Sequence, residues 1–203
     1  MTPDLSEEAP ILAQLRELGL DVEHIQDLYQ KRYDYRTAIP LLVSWIPRVR
    51  ERAVKEMLVR SVSVPWARGI AGPALIAAFE TTDPDTYFSL GWAIGNAIDA
   101  VADLSLLDEM IRLARDRRYG RDREMIVMGL GRIRRPEAVA ALIELVDDPE
   151  VAGHAVAALA KLQPPEARAA LERFVDNERG WVKLAARRAI AGIDRKLAKT
   201  RST

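Results

Sequence analysis

The chain has no cysteine and only two histidines, His24 and His154. Without thiols there is no disulfide framework, no thiolate metal site and no cysteine nucleophile. Two histidines on separate stretches do not by themselves make a metal centre. Aromatic residues are scarce at 6%, and no apolar run approaches the roughly 20 residues of a membrane span. The acidic opening Met-Thr-Pro-Asp-Leu-Ser-Glu-Glu does not read as a signal peptide. The expectation is a cytoplasmic protein that does not enter a membrane. Catalytic signatures are missing too: there is no phosphate-binding loop, no dinucleotide glycine fingerprint, no His-Glu-x-x-His pair and no nucleophile elbow. No catalytic residue, cofactor, cofactor-binding residue or metal ligand is therefore nominated, and the expected role is non-enzymatic.

What is present is a well-mixed globular composition, 49% hydrophobic and 30% charged, in a chain of 203 residues. That is enough to bury a core. The formal net charge of zero conceals an asymmetry: residues 1–110 hold 10 Lys and Arg against 17 Asp and Glu, and residues 111–203 hold 20 against 13. This is either ordinary drift in surface charge, or the mark of an acidic partner for the C-terminal half or of head-to-tail self-association.

One phrase recurs. It is clearest in Ile126-x-x-Gly129-Leu130-Gly131-x-Ile133, Ala155-x-x-Ala158-Leu159-Ala160-x-Leu162 and Ala186-x-x-Ala189-Ile190-Ala191-x-Ile193, with a fainter copy in Leu90-x-x-Ala93-Ile94-Gly95-x-Ala97. The anchors Ile94, Leu130, Leu159 and Ile190 are separated by 36, 29 and 31 residues. A period near thirty, with small residues at fixed places, predicts a solenoid of helix pairs. Glycines 91, 95, 129 and 131 then belong inside helices as close-packing positions, not in a phosphate-binding loop.

In chain order, residues 1–33 read as an N-terminal helical cap. Pro10 opens a helix that carries Ile11, Leu12, Leu15 and Leu18 and ends at Gly19, and Asp21 caps a second one. Repeats fill residues 34–196. Outer helices are expected from Thr37, from Pro73, after a Ser105-x-x-Asp108 capping box, and from Pro136 and Pro165. Inner helices follow Val49, the Asp83-Pro84-Asp85 turn, the Arg-rich stretch 115–123, Asp147-Asp148-Pro149 and Asp176-Asn177. Trp66, in the loop 61–73, is expected to pack over the end of a neighbouring helix. Residues 197–203 read as a flexible tail, and 1–203 as one domain.

Paired helices, Asp-Pro turns and the Ala-x-x-Ala-Leu-Gly-x-Ile inner helix resemble HEAT repeats, most nearly the bacterial variety akin to phycobilisome-lyase HEAT-like repeats. The resemblance spans about residues 35–196 and is strongest from 121 onward. It implies an all-α, right-handed α-α superhelix of the HEAT/armadillo type, with about five helix pairs. It also implies binding of other macromolecules along a concave face lined by the inner helices.

Positions out of phase with the buried phrase should line that face. One row is Glu56, Trp92, Met128, Ala157 and Arg188; one turn further come Arg60, Asn96, Arg132 and Lys161. The nominated partner-binding residues are Trp92, Asn96, Met128, Arg132, Lys161, Arg188 and Arg60. A Trp and a Met flanked by arginines suit a protein-binding hot spot; the competing readings are a wider buried stripe for Trp92 and Met128 and a solvated polar face for the cations. The favoured function is an adaptor for a protein or peptide partner, acidic where it meets the C-terminal half. One alternative is a nucleic-acid-binding protein of the DNA alkylation-repair glycosylase type, for which Trp92 and Asp99 are the nearest candidates. A neutral chain with pI near 6.8 disfavours phosphate tracking. The other alternative is a homo-oligomeric scaffold joined end to end.

Overall fold

A computed structural model describes residues 5–83 and 88–201; every regular element among them is helical, with no strand. Twelve α-helices occur among the described residues, in the order α1 (Ala9–Glu17), α2 (Asp27–Gln30), α3 (Ile39–Trp45), α4 (Arg52–Val62), α5 (Gly72–Glu80), α6 (Phe88–Val101), α7 (Leu107–Arg115), α8 (Glu124–Leu130), α9 (Pro136–Leu145), α10 (Ala152–Leu162), α11 (Arg168–Glu172) and α12 (Gly180–Arg201). They form two compact units, Met1–Leu106 and Leu107–Thr203. The two units carry 10 Lys and Arg against 15 Asp and Glu, and 20 against 15.

In the first unit α3 pairs with α4 and α5 with α6, and α4 lies along α6. The core is built from aliphatic side chains at helical spacing, among them Leu42, Leu58, Leu75 and Ile94, all fully buried. Gly19 ends α1 in the left-handed conformation, φ 82°, while the Leu20 amide reaches back to the Leu15 carbonyl. A glycine meets this need because it has no Cβ to clash there. The second cap helix is much shorter than the sequence suggests and is not capped by Asp21. The Asp27 carboxylate takes the backbone N–H groups of Glu23 and His24, and the buried Glu8 carboxylate takes that of Ile25 at 2.6 Å. Side chains thus satisfy donors that a helix would have directed to carbonyls. Ser105 does not act as the cap of a box either: its N–H and Oγ–H both go to Asp103 Oδ1. Pro84, Asp85 and Thr86, where the second inner helix was expected to begin, lie outside the described residues.

Trp66 sits on a 3-10 turn, Pro65–Ala67. Its ring meets buried Tyr35 edge-on at 6.0 Å, with the Arg36 guanidinium 5.3 Å from its centroid. It packs against these two residues and remains partly exposed.

The second unit has an inner layer, α8, α10 and α12 side by side, backed by α7, α9 and α11. Buried Ile126, Leu130, Ala155, Ala158, Leu159, Ala186, Ala189 and Ile193 are the recurring phrase itself. The third copy is looser, with Ile190 only half-buried and Ala191 exposed. Gly131 shows why small residues recur: a Cβ there would lie 2.9 Å from both Cα and Cβ of Ala158. Of the stretch expected to be a flexible tail, residues 197–201 are the end of α12, and Ser202 and Thr203 lie outside the described residues.

Candidate interaction face

The inner helices present their out-of-phase positions away from the core in both units. In the first unit Trp92 is 38% exposed, Arg60 is exposed, and Glu56 and Asn96 are half-buried. The Asn96 amide donates to the Trp92 carbonyl at 2.8 Å. Arg60 holds Glu56 through two hydrogen bonds of 2.7 and 3.0 Å, so its charge is largely cancelled on its own helix. Beside this pair is a cleft of about 550 Å³ lined by His24, Tyr29, Met57 and their neighbours. The Glu8 carboxylate, accepting a hydrogen bond from His24 Nδ1 at 3.1 Å, raises the His24 pKa, and burial raises that of Tyr29. Asp99 is buried and so does not lie open on the face.

The second unit carries a more organised surface. Glu124 Oε2 lies 3.9 Å from His154 Nε2, and the His154 ring is 5.3 Å from that of Trp181. These three residues, one from each inner helix, form a first rung. Burial depresses the His154 imidazole despite the Glu124 charge nearby, which favours a neutral ring under the indole. Trp181 rests on Gly153, where a Cβ would come within 2.7 Å of the indole. The missing side chain is the seat that lets the Trp lie against α10 while remaining 47% exposed. A cleft of about 400 Å³ borders this seat, sharing Gly153 and Val182 and reaching Phe174 and Arg179.

Helical periodicity carries this face onward. Met128 and Ala157 are half-buried, while Leu184 is 48% exposed. Together they make a middle, apolar rung. Arg132, just past α8, Lys161 on α10 and Arg188 on α12 are all exposed and make a third. The register is fixed by contact: Gly153 faces Trp181 and Gly192 faces Gln163, offsets of 28 and 29 residues. Arg188 is 27 residues beyond Lys161 and 31 beyond Ala157, so it is nearer in register to Lys161, whereas the sequence pattern set it in line with Met128 and Ala157. Lys161 and Arg188 have no ion-pair partner among the described residues.

The other cation-rich stretch, residues 115–123, is consumed internally. Arg115 pairs with Glu144, Arg118 with Asp116, and Arg121 with Glu124. Arg123 is fully buried; it donates to Asp148 at 2.9 Å, Glu150 at 2.6 Å and the Ala114 carbonyl at 2.9 Å. Burial works against the Asp148 charge, yet the Arg123 hydrogen bond and the backbone N–H of Glu150 hold its carboxyl below the usual range. The network ties the lead-in of α8 to the turn before α10. It is structural and leaves the exposed cations of the inner face as the candidates for partner contact.

Sequence reasoning nominated Trp92, Asn96, Met128, Arg132, Lys161, Arg188 and Arg60. Trp92, Asn96 and Arg60 lie in the first unit and Met128, Arg132, Lys161 and Arg188 in the second. It missed Trp181, Leu184 and His154. The signal was present: Trp181 and Leu184 precede Arg188 by seven and four residues, and His154 precedes Lys161 by seven, so each shares a helix face with a nominated cation. No metal-holding group of His, Asp and Glu occurs among the described residues, and no helix there is long and apolar enough to cross a membrane.

Residues 107–191 match the family described as HEAT repeats. No curated protein matches the chain.

Proposed function

We propose that this HEAT-repeat protein is a non-enzymatic adaptor that binds a protein partner through the exposed faces of its inner helices. HEAT repeats generally serve as protein-interaction scaffolds. The observation that carries the reading is the division of the inner helices into two faces. The recurring phrase is largely packed away, yet Trp92, Trp181, Leu184 and the cations Arg132, Lys161 and Arg188 remain exposed on or just past the inner helices. Aromatic anchors beside arginines are the usual content of an interface centre. Evenly solvated polar residues would suffice if the face only met water.

The partner is acidic where it meets Leu107–Thr203, whose 20 Lys and Arg exceed its 15 Asp and Glu. Long-range attraction then accelerates encounter, and the apolar groups hold the complex. The test is affinity capture from the native lysate, with and without nuclease. Wild type is compared with a variant carrying Arg132→Glu and Lys161→Glu. The variant is expected to keep its helical spectrum and lose the captured protein. An unchanged set of captured proteins sinks the reading, and nuclease-sensitive capture replaces it with nucleic-acid binding.

A further inference from the structure

We infer that the inner face of the second unit is a polarised docking site for an apolar–acidic segment of a partner protein. In this site Trp181 and Leu184 receive the apolar side chains, and Arg132, Lys161 and Arg188 receive carboxylates one to two helical turns away. The inference rests on the adaptor reading above and specifies its partner.

Three observations carry it. The first is that the Trp181 indole is seated in advance. Gly153 leaves the space beneath it and the His154 ring lies 5.3 Å away, so the ring loses little freedom when a partner covers it. Preorganisation of this kind lowers the entropic cost of binding. The second is that the apolar surface is continuous along one helix: Trp181 is 47% and Leu184 48% exposed, and they are three residues apart, hence neighbours on the helix surface. They are two of the large hydrophobic side chains left most exposed in this unit, and the rest of the recurring phrase shows that the fold buries such groups where it can.

The third observation is charge. The rung at the far end is made only of cations, and Lys161 and Arg188 meet no carboxylate among the described residues. Many other cations in the unit do find partners, among them Arg115, Arg118, Arg121, Arg123, Arg168, Arg173 and Arg187. Arg134, Arg179 and Arg195, like Lys161 and Arg188, hold no ion pair among the described residues, but of these only Lys161 and Arg188 lie on this rung. Inner helices pack about 8–10 Å apart, so a carboxylate-bearing segment lying across the rung meets successive charges. A basic or charge-free segment gains nothing there. A segment of the opposite polarity would forfeit the Trp181 and Leu184 contacts and leave its apolar side chains against the cations, although Arg179 beside the seat would still meet its carboxylates. The site therefore selects composition first, and direction through the apolar contacts.

The probe is a displayed library of random peptides selected on the immobilised full-length chain. The best binder is resynthesised and titrated by fluorescence anisotropy. Enriched sequences are expected to combine Leu, Ile or Phe with Asp or Glu several residues away. Affinity for the resynthesised peptide is expected to fall about tenfold or more with Trp181→Ser, Leu184→Ser or the Lys161→Glu/Arg188→Glu pair, and to change less than about twofold with Trp92→Ser in the other unit. Raising salt from about 50 to about 300 mM should weaken it further. Urea midpoints of each variant separate lost contact from lost fold, and Leu184→Ser serves if Trp181→Ser disturbs the seat. Binders that are basic or uncharged, or that depend on Trp92 and not on Trp181, overturn this inference and leave the adaptor reading standing. A library that yields no binder to the wild-type chain counts against both.

Discussion

Asp122 shows what one buried group does to stability. It is almost inaccessible, its Oδ1 has no hydrogen-bond partner, and burial, assisted by the nearby Glu124 charge, pushes its carboxyl up to about 6. In the unfolded chain the same group titrates near its usual value of about 3.9. The folded state therefore holds the proton more tightly. Below about pH 4 the group is neutral in both states, and the stabilisation this gives is lost as pH rises through about 6. Asp122→Asn removes the charge at nearly constant shape. It is expected to raise unfolding stability by roughly 1–2 kcal/mol at about pH 7.5 and to have no effect near pH 4. Urea melts at the two pH values check this, and an equal effect at both contradicts it. Arg123 is the opposite case. Truncation by Arg123→Ala leaves buried Asp148 only the exposed Arg117 guanidinium, 3.3 Å away, empties the buried Arg123 site and is expected to cost about 3–5 kcal/mol in the same assay; a loss under about 1 kcal/mol would show that the network is dispensable.

At the scale of the helices, small residues decide how closely the inner layer packs. Gly131 has backbone against it: a Cβ would lie 2.9 Å from Ala158 Cα, and neither helix can yield locally. Gly131→Ala is expected to destabilise by about 1–3 kcal/mol. At Gly192 the added Cβ would meet only the Gln163 side-chain amide, which can swing aside. There Gly192→Ala should be neutral or gain up to about 1 kcal/mol of helix propensity. Measured urea midpoints that rank the two substitutions the other way would contradict this packing scheme. The same elements show what the sequence made legible. The recurring phrase located α8, α10 and α12 because burial at helical spacing is written in residue size. The cap was misread because Glu8 and Asp27 capture backbone donors of the 23–25 stretch, a side-chain effect that periodicity does not encode. Trp181 shares a helix face with Arg188 in the sequence, but its seat on Gly153, some 28 residues away, is revealed only by contact between neighbouring repeats.

For the whole molecule, each unit has its own buried core, and opposite charge excesses divide between them. The fragment Leu107–Thr203 is expected to fold alone, with cooperative urea unfolding and an intact helical spectrum. A fragment that is unfolded in the absence of the first unit would refute that autonomy. The division also explains how much of the candidate site the sequence revealed. Phase along each helix was enough to name exposed positions such as Lys161 and Arg188. Which cations stay unpaired was not, because Arg115, Arg121 and Arg123 look equally available until Glu144, Glu124 and Asp148 are found beside them.

Binding through the inner-helix face is tested most directly by photo-crosslinking in the cells that make the protein. A benzophenone amino acid would be placed at Lys161 or Trp92 on the inner helices, or at Ala140, which is exposed on α9 of the backing layer. Discrete protein adducts from Lys161 or Trp92, and none from Ala140, are the expected result. Adducts from Ala140 alone would place the interaction on the opposite layer and contradict the adaptor face described here.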